Sequence, residues 1–276
     1  MSYLAHRRKG FRGTIYDGAS AIYSLRRIRT DYGYVGGDVV IEARRGGDGD
    51  DEAFTAEEIA DGTFESWTTD GPGNGDAWIQ RWYDQSGNLN TALQLLPASQ
   101  PQICSGGTLL ADGALFNGTD QYLDCGFSHG TASAQSIFAV AQTSDIAANR
   151  MLIDGRDAND DGIGMFYLTA SDYVRFHVDT TDVFSNTSLS ANTEYLFTGI
   201  YGSTTSTFYE DGTQTDTDTG APSSSSSTTD YKIGRTGFSS ASFWQGSIQE
   251  IIIFPDDQTA NRAAIDADIK THYGIT

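Results

Sequence analysis

The stretch "DYVRFHVD", residues 172–179, alternates. Tyr173, Arg175 and His177 fall on one side of an extended chain, and Val174, Phe176 and Val178 fall on the other. A period of two marks a half-buried β-strand, and similar short runs lie on both sides of it. Upstream stand "AWIQRWYD" (77–84), "PQIC" (101–104), "QYLDCG" (121–126), "SIFAVAQTS" (136–144) and "RMLIDGR" (150–156). Downstream stand "EYLFTGIYG" (194–202), "STFYEDGTQT" (206–215) and "GSIQEIIIFPD" (246–256). Turn pairs such as Asp154-Gly155, Asp161-Gly162 and Asp211-Gly212 punctuate them. Many short strands with regular turn signals predict two antiparallel sheets packed face to face.

The flanks are less regular. "GASAIYSLRRIRTDYG" (18–33) places Ile22, Leu25 and Ile28 at three-residue steps, which predicts a short helical or mixed segment. "DVVIEAR" (38–44) reads as a strand and "RGGDGDD" (45–51) as the turn of a hairpin. In "TAEEIADG" (55–62), Thr55 and Glu58 have capping-box spacing for one helical turn. "TTDGPGNGD" (68–76) and "APSSSSSTTD" (221–230) read as loops. The segment 255–276 reads as a helix. Asp257 or Thr259 is its expected cap, Ile265 and Ile269 its buried pair, and Gly274 its stop.

Composition bounds the function. With 276 residues, 12% aromatic content, 31 glycines and only 5 prolines, the chain has ample core material for one large β domain. The predicted division is a basic N-terminal arm, residues 1–17, and a single sandwich domain, residues 18–276. Net charge is −20. Residues 1–45 hold nine basic and four acidic residues, a net of +5, which leaves −25 for the rest. So acidic a body repels nucleic acid and anionic membrane. The basic head, with Arg7, Arg8, Lys9 and Arg12, reads as a candidate anchor for an acidic partner surface, with a solvated, frayed terminus the plain alternative. No apolar run is long enough to predict membrane insertion, and "MSYLAHRRKGFRG" lacks the apolar stretch of a secretory signal. Cys104 and Cys125 read as two buried thiols, with a bridge open if their strands are neighbours.

Candidate chemistry is sparse. Paired carboxylates would support glycoside hydrolysis, and Asp84, Asp120, Asp124, Asp154, Asp179, Glu210 and Glu250 are available. Glu250 interrupts the apolar "SIQEIIIF", where simple alternation groups it with Ile248 and Ile252. Such an acid gains a raised pKa, sits at a sheet edge or pairs with an arginine. Asp157, Asn159, Asp161 and Gly162 copy the first half of a calcium loop, but its twelfth position is Leu168 rather than glutamate. A hairpin tip is the plainer reading, with weak Ca2+ binding the alternative, so no cofactor is expected. His6, His129, His177 and His272 lack zinc-ligand spacing. Among the tryptophans Trp67, Trp78, Trp82 and Trp244, the last joins Asp154 as a candidate carbohydrate contact. In "RWYDQSGNLN" (81–90), alternation puts Trp78, Gln80, Trp82 and Asp84 on one face. Asp84, Gln85, Ser86 and Asn88 then form a turn locked by side-chain-to-backbone bonds, a structural role.

The order of these segments carries a resemblance. "AIYSLRRIR" (21–29), "WYDQSGNLNTALQ" (82–94), "QPQI" (100–103), "LFNGTDQYLDCG" (115–126), "SIFAVAQT" (136–143) and the closing strand-plus-helix from residue 246 resemble concanavalin A-like lectin/glucanase domains of the laminin-G-like type. Such domains are common in bacteriophage structural proteins. The resemblance spans residues 18–276 and implies an all-β, jelly-roll sandwich of two antiparallel sheets. "YSLRR" with "YDQSGN" is also similar to the catalytic sandwich of family-54 α-L-arabinofuranosidases, whose catalytic motifs have no counterpart here. The resemblance implies a non-enzymatic virion protein: a capsid decoration, head-fibre, tail or baseplate subunit. Its expected partners are other virion proteins, copies of itself with a trimer favoured, and a host-surface glycan. Its expected location is the virion, assembled in the host cytoplasm. The alternative is a glycoside hydrolase of arabinofuranosidase type.

Overall fold

The computed structural model describes residues 14–28, 38–111, 113–168, 173–185 and 189–276, with the backbone alone at 166–168. The arm residues Arg7, Arg8, Lys9 and Arg12, and the end of the 18–33 segment, lie outside the described residues.

The chain opens with strands β1 (Ala21–Ser24), β2 (Val39–Arg45) and β3 (Asp51–Thr55). Helices α1 (Ala56–Ala60) and α2 (Thr63–Asp70) and strand β4 (Ala77–Trp82) follow. Then come β5 (Ala92–Leu93), β6 (Gln102–Ser105), β7 (Thr108–Leu109), β8 (Ala114–Asn117), β9 (Leu123–Asp124) and β10 (Gly130–Ala132). The longer strands are β11 (Ala134–Thr143), β12 (Arg150–Asp154), β13 (Ile163–Leu168), β14 (Tyr173–Val178), β15 (Thr181–Phe184) and β16 (Tyr195–Gly202). The chain closes with β17 (Thr205–Glu210), β18 (Thr213–Asp218), β19 (Ser225–Ser227), β20 (Lys232–Ile233), β21 (Gln245–Phe254) and helix α3 (Arg262–Tyr273).

Every pairing is antiparallel. One sheet runs β1-β21-β11-β16-β17-β18. The other runs β15-β14-β13-β12-β20-β9-β5-β4-β2-β3. β8 bridges them, pairing with β21 on one side and with β6, itself a partner of β4, on the other. At the far edge Phe184 N donates to Asp216 Oδ2 (3.1 Å) and Thr215 Oγ1 donates to the Phe184 carbonyl (2.8 Å). The sandwich is therefore nearly closed into a barrel, a geometry that protects most strand edges.

Two apolar cores follow. Between the sheets lie Tyr23, Trp82, Phe176, Trp244, Ile251 and Ile253, among others. Outside the first sheet, Ile22, Phe138, Ile252 and Phe254 pack under Ile265 and Ile269 of α3. β21 is thus buried on both faces, which explains its continuous isoleucine run.

Several sequence expectations change. Residues 21–24 form a strand rather than a helix, because Ala21 to Ser24 pair with Ile253 to Glu250 and bury alternate side chains in the two cores. Alternation in β4 breaks where its register with β2 shifts beside Gln80, so Ile79 and Trp82 both enter the inner core. A like shift between β11 and β21 at Gln249 turns Ile248 into the inner core, away from Glu250 and Ile252. Residues 68–70 end a second helix, whose Phe64 packs edge-on against Phe54 at 5.0 Å. The serine run contains β19, paired with β10. The cap of α3 is Asn261, while Asp257 Oδ1 holds the Thr259 N–H (2.8 Å) in a turn before the helix. Gly274, at φ 73°, ends α3 as expected. The Thr55–Glu58 capping box is formed at α1.

Candidate binding cleft

Strand β4 ends in a knot that builds one wall of a cleft. Asp84, 3% exposed, accepts four hydrogen bonds. Its Oδ1 takes the Ile22 N–H (2.9 Å) and the Ser86 N–H (2.7 Å). Its Oδ2 takes the Ser86 hydroxyl (2.7 Å) and the Asn90 N–H (3.0 Å). Gln85 accepts the Ile28 N–H and donates to the Ser24 and Arg26 carbonyls. Asn88 and Asn90 donate through Nδ2 to the Ser20 carbonyl (3.1 and 2.9 Å), and Asn88 also reaches Ala19 (2.8 Å). Gly87, at φ 93°, supplies the left-handed step this path needs. The knot sews the end of β4 to the segment entering β1.

The amide nitrogens of Asn88 and Asn90 are committed to backbone, and their amide oxygens accept nothing among the described residues. Together with residues of the 127–135 segment and Pro255, they line a cleft of about 630 Å³. Phe127 packs on Tyr231 at 5.5 Å. Tyr231 donates to Gln135 Oε1 (2.5 Å), which holds that amide at the cleft. Burial pushes the Tyr231 phenol well up, so it stays protonated as a donor. His129 lies beside it, ring centres 6.1 Å apart, and both its ring nitrogens are buried without a hydrogen bond among the described residues. Burial pushes its imidazole below the ordinary range, against the pull of Asp179, so the ring is neutral at pH 7. Among the described residues no carboxylate, lysine or arginine lines the cleft. It offers amides, hydroxyls, an imidazole and an aromatic ring, and no acid pair for hydrolysis.

The other candidate residues lie elsewhere. Trp244 and Asp154, expected at a carbohydrate face, are both fully buried. Trp244 belongs to the inner core, and Asp154 is held by Arg156 (2.8 and 3.0 Å) and the Gly237 N–H (3.1 Å). Neither is open to a sugar in this fold. Asp157 Oδ1 accepts the N–H groups of Asn159 (2.8 Å) and Asp161 (3.2 Å), closing a turn. Those bonds hold the Asp157 carboxyl below its usual range. Among the described residues no three His, Cys, Asp or Glu side chains converge as a metal site. Glu250 is 1% exposed and receives both Arg26 nitrogens (2.8 and 2.9 Å), the Ser24 hydroxyl (2.7 Å) and the Tyr273 hydroxyl (3.0 Å). None of the seven candidate acids lines the cleft. His177 is bound to Asp182 (2.7 Å), and Cys104 and Cys125 are buried free thiols.

Sequence reasoning missed the wall formed by Phe127, Ser128, His129 and Gln135. The available signal was an aromatic set among Ser, His, Thr and Gly in "GFSHGTASAQ" (126–135), a segment polar enough to line a cleft.

Comparisons with known proteins fit this architecture. Among curated proteins nothing matches the sequence. Among solved structures, Trypanosoma rangeli sialidase superposes with a TM-score of 0.50 at 10% identity over 69% of this chain, which spans 31% of that one. The CBM40 of Ruminococcus gnavus IT-sialidase, bound to α2,3-sialyllactose, gives a TM-score of 0.41 at 13% identity, covering 50% of this chain and 84% of that one. At 10% identity the likeness to the sialidase speaks to the fold alone. A laminin-G-type family model described as the concanavalin A-like lectin/glucanases superfamily matches residues 117–264, which is 148 of 276. With more than half its length matched and a near-closed antiparallel sandwich, the chain belongs to the concanavalin A-like lectin/glucanases superfamily.

Proposed function

We propose that this protein is a non-catalytic, lectin-like module whose end cleft binds a neutral, hydroxyl-rich glycan. One observation carries the reading: on a chain of net charge −20, the polar cleft beside the knot is lined by amides, hydroxyls, Phe127 and a neutral imidazole, with no charged side chain among the described residues. Its volume of about 630 Å³ suits a short oligosaccharide. Sugar hydroxyls pair with the Asn88 and Asn90 oxygens and the Gln135 amide, and a sugar face packs on the aromatic wall. A ligand hydroxyl entering beside His129 satisfies nitrogens that otherwise stay unpaired.

Titration calorimetry with neutral and sialylated oligosaccharides tests this. Neutral ligands bind, and His129→Ala weakens them at least about ten-fold. A preference for the sialylated ligand, or indifference to His129→Ala, overturns the reading, because among the described residues no cation lines the cleft to hold a carboxylate.

We extend the reading to its setting. The +5 charge of residues 1–45 against −25 elsewhere supports a virion subunit, docked through its basic arm and assembled as an oligomer, a trimer being favoured. Mass in solution and co-sedimentation with phage particles, with and without residues 1–13, test that setting. For the arabinofuranosidase alternative, turnover of aryl arabinofuranosides is the deciding assay, and none is expected.

A further inference from the structure

A second polar cleft lies at the opposite end of the sandwich. The first opens where β11 starts, at Gln135, and β21 ends, at Pro255. The second opens where β11 ends, at Ser144, and β21 starts, at Gln245. Nine strand steps of about 3.4 Å separate them, roughly 30 Å in all. The second cleft measures about 250 Å³, below the usual span of about 300–1,000 Å³ for drug-sized ligands, so it suits a single ring or one substituent.

Its amides are held in defined roles. Register aligns Trp78 of β4, Gln102 of β6 and Leu115 of β8 in one row, and all three are half-buried while Ile103 and Phe116 point into the core. Gln102 donates through Nε2 to the Cys104 carbonyl (3.0 Å), which leaves its Oε1 as an acceptor. Gln245 accepts Arg150 Nη2 through Oε1 (2.9 Å), which leaves its Nε2 as a donor. Arg150 is itself fixed by the Gly118 and Phe243 carbonyls (3.1 and 2.9 Å) and by Asp145. Gly118 permits this packing: a Cβ there would stand 2.7 Å from Gln245 Oε1 and 3.1 Å from Arg150 Nη1, on a backbone at φ 75°. Gln121, 8% exposed, has a side-chain amide with no hydrogen bond among the described residues. The cleft therefore presents one oriented acceptor, one oriented donor and one uncommitted amide beside the half-buried, apolar Leu115.

We infer that this cleft is a second ligand site, selective for a neutral sugar ring carrying an acetamido group. The ligand N–H donates to Gln102 Oε1, its carbonyl accepts from Gln245 Nε2, and its methyl group covers Leu115. A plain hydroxyl fits one of these partners and leaves the apolar floor wet. The site shares no residue with the first cleft and stands or falls apart from it.

The test compares N-acetylglucosamine with glucose by titration calorimetry on wild type, Gln102→Met and Gln245→Met. N-acetylglucosamine binds at least about ten-fold more tightly than glucose, and each glutamine variant removes that margin. Equal binding of the two sugars, or a margin untouched by both glutamine variants, overturns the proposal. Hydrogen exchange on the wild-type protein supplies a reading that needs no variant. N-acetylglucosamine protects amides at residues 102–104, 115–121 and 245, and protection confined to 127–135 refutes the second site.

Discussion

Asp84 is the residue on which the knot depends. It accepts from two backbone N–H groups in its own turn, one hydroxyl, and the Ile22 N–H of β1. Removing the carboxylate leaves several buried donors without partners, at about 1–3 kcal/mol each. Asp84→Ala is expected to lose at least about 3 kcal/mol in urea unfolding, against about 1 kcal/mol for the more accessible Asn88→Ala. Equal losses would mean that the turn, and not its tie to β1, carries the energy. The sequence made the turn legible, since Asp, Ser and Asn after a strand bond neighbouring backbone. It hid the partner sixty-two positions away. A second residue effect concerns pH. Burial holds His129 below its ordinary range, and burial with Arg26 does the same to His272. An unfolded histidine titrates near about 6.5, so below that pH the unfolded chain binds protons the folded chain resists. Their stabilisation is complete above about 6.5 and lost as pH falls through the lower folded values. The stability lost between about pH 7.5 and about pH 5.5 should therefore shrink in His129→Asn.

At the scale of elements, the short alternating strands were legible and the places where alternation fails were not. "DYVRFHVD" buries Val174, Phe176 and Val178 as its pattern requires, and His177 is buried on the other face only because Asp182 and the Asp160 carbonyl receive its ring nitrogens. β4 and β21 each change face at a glutamine beside a register shift, which no local pattern encodes because the partner strand sets it. The shift at Gln249 directs Glu250 outward to Arg26, and Arg26 in turn reaches Asp268 of α3 (2.7 Å). Glu250 thus joins β1, β21 and α3. Breaking a buried pair from one side costs about 3–5 kcal/mol, because the remaining charge is stranded. Glu250→Ala should lose that much in denaturant titration and still bind glycan with wild-type affinity under native conditions. A loss of affinity in a fully folded Glu250→Ala protein would return this acid to the list of functional residues. The helix start at Thr55 carries a smaller stake, and Thr55→Ala should cost about 1 kcal/mol through its capping box.

Across the whole molecule, charge and binding separate. Thirty-seven acids against seventeen bases give a body that repels itself, yet among the described residues both polar clefts are lined without a charged side chain. Screening reaches about 30 Å at 10 mM salt and about 10 Å at 100 mM, so added salt relieves the repulsion among surface carboxylates. Thermal stability should therefore rise between about 10 and about 150 mM NaCl. Glycan affinity in the clefts rests on hydrogen bonds and apolar contact and should stay flat over the same range. Docking through a basic arm obeys the opposite rule, since attraction between exposed charges weakens as ions screen it. Particle co-sedimentation should fall with salt in the full chain and be weak at every salt concentration once residues 1–13 are removed. If glycan capture falls with salt as steeply as particle docking does, the two activities share one electrostatic surface, and the assignment of glycan to neutral clefts fails. If only docking falls, the arm and the clefts act independently, and each can be altered by substitution without disturbing the other.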